Sequence, residues 1–408
     1  MVKRGWPVWL LFAIVLMVAP RLFSSGLGLT ILSQIGTLMI IMLSYNMLFG
    51  QTGLLSFGHA IPVGLGAFAA AHVLNAVAAG HFWLPVSLVP LVAGLGGAVG
   101  ALLMGLVTAR LSKTAFAMIT LALGEMVAAS ALMFPAFFGG EAGIRTNRVI
   151  GEAWLGLSFE PAVQVYGLIA VWLFVCTLAM AALTRTPLGR LANAVRDNPE
   201  RVAFIGFDPA LIRLAMMILS GFFAGIGGGL SAINFEIVNA ESVGTVRSGA
   251  YLLFTFIGGS TLFAGPMIGA IVSALTLVLL SELTRAWLLY LGLFFLVTVL
   301  FAPRGLAGLL ADHGAAVRNG RWRVLLRPWL LLVLALLPLC TAVVLLVEMA
   351  YTLQFAPGQS LHLAGLSLDP AAGLAWSGAL LALVSAASAT RCAHARLRGA
   401  LQQLDGVA

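Results

Sequence analysis

Runs of about twenty consecutive apolar residues recur along this chain, and no other feature restricts its fold as severely. One such run crosses the hydrocarbon core of a bilayer as a helix. The runs fall at approximately 7–23, 29–49, 58–79, 84–108, 114–136, 163–183, 211–233, 249–263, 264–281, 286–302, 328–350 and 371–390. The pair at 249–281 reads either as one long tilted helix or as two short ones meeting near Gly265-Pro266. Hydrophobic residues make up 61% of the chain and charged residues 9%, with a mean hydropathy of +1.06. A soluble domain carries about 25% charge. Gly/Ala/Leu runs of this length are not the alternating strands of a barrel. The expected fold is an all-α, polytopic integral membrane helix bundle with ten to twelve transmembrane helices.

One polar island interrupts the pattern, residues 184–209. Thr186 can cap a helix whose first residue is Pro187. Leu188, Leu191, Ala192 and Val195 then share a face at three- and four-residue spacing, with Arg190, Asn193 and Asp197 mostly opposite. Asn198-Pro-Glu200 restarts a second short helix, Gly206 stops it, and Asp208-Pro209 opens the next span. A structured helix pair between two membrane helices is a docking surface for a soluble partner, or else a solvated loop that carries orientation charge.

The net charge of +8 reports topology rather than nucleic-acid binding. With the amino terminus inside and twelve spans, 17 of the 22 basic residues lie on the inner side, among them Lys3, Arg4, Lys113, Arg190 and Arg321. Arg21, Arg145, Arg148, Arg247 and Arg285 lie outside. That asymmetry follows the positive-inside rule and places the island in the cytoplasm. The basic stretch through Arg327 could meet anionic lipid, or simply carry orientation charge. Cys176, Cys340 and Cys392 have neither disulfide nor metal spacing. Lys3-Arg4 before an apolar run resembles a signal peptide, but no small-x-small site follows, so a retained first span is expected.

Three further places carry candidate chemistry. In Gly50-Gln-Thr-Gly-Leu-Leu-Ser-Phe-Gly-His-Ala60, glycines alternate with Gln51, Thr52, Ser56 and His59. Broken backbone in a membrane protein survives only where protein or water covers it. A helix restarting near Ser56 or Gly58 would point free N–H groups along its axis, the arrangement with which transporters hold anionic groups. The alternative is an ordinary turn at the cytoplasmic face. Glu125 lies about 11 residues into its span, about 16 Å deep, where a carboxylate is expensive and usually functional; the alternative is a glutamate that holds helices together. The connection 137–162 is long enough to be functional, and Trp154 and Tyr166 fit an interfacial belt. Glycines at 64, 66, 94–105 and 221–229 read as close helix packing.

What is missing narrows the function. The only lysines, Lys3 and Lys113, follow Val2 and Ser112, so there is no Gly-Lys-Ser/Thr of a P-loop. Neither a His-Glu-x-x-His nor a nucleophile elbow occurs, which disfavours an intramembrane enzyme. Apart from Glu125, span centres nearly lack titratable groups, whereas proton-coupled carriers usually need them. A pore subunit powered by a separate ATPase at the island explains both absences. The alternative of another class is a stand-alone secondary carrier or channel for a small neutral or zwitterionic solute.

Six stretches together resemble a known family: Gly50–Ala60, Thr120-Leu-Ala-Leu-Gly-Glu125, Thr186-Pro-Leu-Gly-Arg-Leu-Ala-Asn-Ala-Val-Arg-Asp197, Ala203-Phe-Ile-Gly-Phe207, Leu219-Ser-Gly-Phe-Phe-Ala-Gly225 and Phe301-Ala-Pro-Arg-Gly-Leu306. In order and spacing, over roughly 30–311, they are similar to the permease subunits of branched-chain amino acid ABC transporters of the LivM type. The resemblance implies an importer in the bacterial cytoplasmic (inner) membrane, multi-pass, with a cytoplasmic amino terminus. It implies a second homologous permease subunit, two ATP-binding cassette subunits that bind the ATP, and an extracytoplasmic solute-binding protein, with no cofactor on this chain. The coupling loop would span 184–209, with Pro187, Leu188, Gly189, Arg190, Ala194, Arg196, Asp197 and Gly206 facing an ATPase. Gln51, Thr52, Ser56, His59 and Glu125 would border the pathway. The chain departs from the family at Gly139-Gly-Glu-Ala-Gly143, usually Gly-Gly-Pro-Asn-Gly, and at Gly258-Gly-Ser-Thr-Leu-Phe-Ala-Gly265, which puts urea, short amides and other solutes beside leucine, isoleucine and valine. The permease domain would be 1–311, and residues 312–408 an extension with two further spans.

Overall fold

The computed structural model describes residues 6–111, 113–150, 158–318, 322–355, 361–363, 366–368 and 372–405. The readings of Lys3, Arg4, Trp154 and Arg321 lie outside the described residues. The chain forms two compact units, residues 1–278 with 295–308, and residues 279–294 with 309–408.

The first unit is a helix bundle. Its long helices are α1 (Trp6–Leu22), α2 (Gly26–Thr52), α3 (Ala60–Ala78), α4 (Val89–Thr108), α5 (Lys113–Met133), α7 (Ala162–Leu183) and α10 (Pro209–Phe235). A four-residue turn of helix, α6 (Pro135–Phe138), follows α5. The expected polar pair is present as α8 (Pro187–Asp197) and α9 (Pro199–Phe204). The apolar stretch 249–281 resolves into two short helices, α11 (Thr245–Gly258) and α12 (Gly265–Leu275). Among the described residues, seven helices are long and apolar enough to cross a membrane, or eight if those over 287–300 and 305–311 form one broken span. That is fewer than ten to twelve, because α1, α11 and α12 fall short of the ~20 residues a straight crossing needs.

Helix α10 is the hub, packed against α2, α3 and α4. Small residues make this possible, because backbones there nearly touch. A Cβ on Gly97 would lie 2.3 Å from the Gly221 carbonyl oxygen, and one on Gly228 only 2.0 Å from that of Val63. Tyr45, Phe68, Phe116 and Phe254 fill the spaces between helices and are fully buried. Tyr166 is no interfacial anchor. It is buried, and its hydroxyl donates to the Leu16 carbonyl of α1 at 2.9 Å, because α1 covers that face of α7.

The bundle has two unlike ends. One gathers the close of α2, the α4–α5 turn, the polar pair and the 259–264 connection: Arg213 Nη1 donates to Leu111 O at 3.2 Å, and a Cβ on Gly50 would meet Ser260 O at 2.9 Å. The other gathers the connection after α5 and the close of α10, where β1 (Ile144–Arg145) pairs antiparallel with β2 (Ile237–Val238). In the second unit, the helix Trp322–Phe355 packs along the helix Gly373–Asp405 through Leu332, Ala393 and Leu397. Glu348 Oε1 there accepts from Thr284 Oγ1 at 2.7 Å and Tyr290 OH at 3.1 Å.

Candidate functional site

Helix α2 stops at Gly53, whose φ of +70° suits glycine and whose N–H donates to Phe49 O at 2.9 Å. The chain then does not leave the bundle. It runs back beside the last turns of α2: Tyr45 OH donates to Ser56 O at 3.1 Å, and Ser44 Oγ meets His59 Nε2 at 3.0 Å. Ser44 lies eight residues before the end of α2, about 12 Å at the helical rise. Helix α3 therefore begins beside the last turns of α2, inside the bundle.

The N–H groups expected to be free at this helix start are not free. Ala60 N donates to Ser248 Oγ at 2.8 Å, Ile61 N to Gly58 O at 3.0 Å, and Pro62 has none to offer. Phe57 N donates to Thr120 Oγ1 at 3.2 Å, and Ser220 Oγ to Ser44 O at 2.7 Å. The physical reason is coverage: buried backbone groups in an apolar bundle must find partners; hydroxyls of α5 and α11 accept from the N–H groups, and that of α10 donates to a carbonyl. Gln51, Thr52, Ser56 and His59 are all buried. Ser56 and His59 line a cavity of about 10 Å³ together with Leu48, Met104, Met217 and Ser220, about the space of one water. The segment is thus a closed plug of small polar groups. Two buried acceptors beside it, Asn46 Oδ1 and Gln51 Oε1, have no hydrogen-bond partner among the described residues.

Glu125 stands apart from the plug, on the exposed face of α5. Its Oε1 accepts from Thr245 Oγ1 at 2.5 Å, at the start of α11. A carboxylate suits a helix N-terminus, where backbone N–H groups carry partial positive charge.

In the polar pair, Thr186 Oγ1 accepts from Gly189 N at 3.3 Å and donates to Leu183 O at 2.7 Å, while Asn198 Oδ1 accepts from Arg201 N at 3.0 Å. Gly189, Ala192, Val195 and Val202 are buried against the bundle, and Leu188, Leu191 and Ala194 half-buried. A Cβ on Gly189 would lie 2.4 Å from Leu183 O, so glycine lets α8 fold tightly under α7. Pro187, Arg190, Asp197 and Gly206 are exposed. Arg196 differs: its Nη1 donates to Gly50 O at 2.5 Å, on α2 rather than outward. The sequence reading took the stretch Ala203-Phe-Ile-Gly-Phe207 as a family match but assigned no site role to Phe204, 90% exposed, or to Ile205 and Phe207 beside it. Three large apolar side chains on a polar island were the signal. It also passed over Thr120, Ser220 and Ser248, single small polar residues within apolar spans.

Among the described residues no group of His, Cys, Asp and Glu could hold a metal ion. An all-helical polytopic bundle with a plugged break at its centre and a capped polar helix pair at one end has the build of a membrane permease. A family model described as the permease component of branched-chain amino acid transport systems matches residues 27–303, and the chain belongs to that family, one of transport permeases rather than enzymes. Similar proteins include the high-affinity branched-chain amino acid transport system permease protein LivM of Escherichia coli K12, 30% identical over 65% of this chain and 67% of the relative. LivM of Salmonella typhimurium is 29% identical over the same shares. The fructose import permease protein FrcC of Rhizobium meliloti is 28% identical over 49% of this chain and 58% of its own length. No solved structure matches.

Proposed function

We propose that this chain is the transmembrane permease subunit of an ATP-driven importer for branched-chain amino acids or a related small solute, in the bacterial cytoplasmic membrane with its amino terminus in the cytoplasm. It forms the translocation path with a second homologous permease subunit. Two ATP-binding cassette subunits supply the energy, one of them docking on Pro187–Gly206, and a solute-binding protein delivers the solute from outside. ATP is bound by the partners alone. The observation that carries this reading is the polar pair itself, folded against the bundle on one face and presenting Arg190 and Phe204 on the other. An exposed aromatic ring and an exposed arginine on one helix pair are the residue types enriched at interface anchors. Relatives named for amino acids and for fructose support a path whose selectivity is set by few side chains. Glu125 borders that path, because a carboxylate within an apolar span faces protein or water rather than lipid.

Affinity purification of the chain in mild detergent from its native host tests the reading. An ATP-binding cassette protein and a second permease are expected to co-purify. Transport by the purified chain alone in liposomes, without any ATPase, would overturn it. For Glu125→Gln, the expected result is reduced uptake at normal membrane yield; unchanged uptake and assembly would remove Glu125 from the path.

A further inference from the structure

Within the polar pair, Arg196 reaches back into the bundle although its side chain is 42% exposed. Its guanidinium crosses to α2, where Nη1 donates to Gly50 O, a carbonyl of the last turn that has no intrahelical donor to receive. Its stem lies against Gly53, where a Cβ would stand 2.8 Å from Arg196 Cγ. Nε is held by Asp197 Oδ1 at 3.1 Å, which fixes the fork. A cation on the carboxyl end of a helix also meets the negative end of its dipole. Gly53 is in turn the residue at which the chain reverses into the plug, three positions before Ser56.

We infer that Arg196 is the strut through which movement of the polar pair reaches the plug: α8 holds the end of α2, and the end of α2 holds the segment that carries Ser56 and His59. This rests on the docking reading above and adds a route to it. The covalent path from α8 back to the plug runs through α7 and more than a hundred residues, whereas the strut is one side chain long. A second observation points to the same place. Asn46 Oδ1 and Gln51 Oε1, on either side of Gly50, are buried without hydrogen-bond partners among the described residues. Both amides therefore flank the carbonyl that Arg196 holds and leave the turn with polar groups not yet committed to one arrangement. Rigid elements with two discrete arrangements are what carry coupling between sites. Arg196 is accordingly a positioning residue that need not touch solute or ATPase.

The test uses the whole transporter purified through an affinity tag on this chain, with Arg196→Ala, Arg196→Lys and Arg196→Gln compared with wild type. Three readouts are taken: membrane yield, the amount of ATPase captured, and solute uptake per transporter. Arg196→Ala is expected to lose uptake by roughly threefold to thirtyfold, the range of a coupling loss, and to lose captured ATPase by much less than it loses uptake. Lysine keeps one charged donor for Gly50 O and should rank above glutamine in uptake. Uptake within about twofold of wild type in Arg196→Ala, below that coupling range, would overturn the inference. So would loss of captured ATPase in step with uptake, since that is the behaviour of a docking residue. Should Arg196→Ala fail to insert, the order of lysine and glutamine decides, and glutamine equal to or above lysine overturns it. Wild type that captures no ATPase would sink the docking reading and this inference with it, whereas the other failures sink the strut alone.

Discussion

The two ends of the first unit solve the same problem differently. At the end away from the polar pair, the connections close on themselves. β1 pairs with β2, Arg148 N donates to Glu236 Oε1 at 3.0 Å, and the Arg148 guanidinium donates to Phe159 O at 2.9 Å and Asn234 O at 3.3 Å. Gly143, at a φ of +69°, leaves room for Val238 O only 2.5 Å from where its Cβ would be. At the other end, the helix pair is capped within itself, seated on small buried residues, and tied to α2 through Arg196. Its outer face carries Phe204 in the open. The first end is cross-linked by its own connections. The second carries Phe204, the most exposed aromatic side chain among the described residues.

Substitutions should separate these ends. The largest effect on stability is expected from Gly143→Val, which combines a left-handed backbone with a clash against Val238 O; a loss of about 3 kcal/mol follows, measured as thermal unfolding in detergent. Arg148→Ala removes two side-chain hydrogen bonds and an ion pair with Glu236 from a half-buried cation and should cost about 2 kcal/mol in the same assay. At the opposite end the pattern inverts. Phe204→Ser should leave unfolding within about 0.5 kcal/mol, as at other exposed positions, yet reduce ATPase capture by about tenfold, as for an interface anchor. Arg190→Ala should do the same more weakly, by about threefold, and more so at low salt. If Phe204→Ser destabilises the isolated chain as much as Arg148→Ala does, the contrast between the ends is lost.

Much of this was readable along the chain. Thr186, Pro187, Asn198 and Asp208 are helix-start signals that depend only on their neighbours, and each of the three side-chain caps is made as expected. The face of Ala192 and Val195 is buried for the same reason, since helical periodicity sorts side chains before any partner is chosen. The break after Gly50 was visible as broken patterning. Its depth and its donors were not, because Ser248, 188 positions from Ala60, supplies the hydroxyl. A lone serine in an apolar run carries no mark of the backbone group it will meet. Glu125 was legible as an anomaly, but not as the acceptor of Thr245, 120 positions away.

The chain's own order of residues determined that it is a many-helix membrane protein, where its spans begin, and that two short capped helices interrupt them. These follow from local quantities: run length, period and cap chemistry. Only the tertiary structure decided that the segment after Gly53 turns back inside the bundle and that Arg196 reaches Gly50, 146 positions away. Those outcomes depend on how closely α2, α8 and α10 approach. Side-chain volumes summed over the whole bundle set that distance, and no window of sequence contains it.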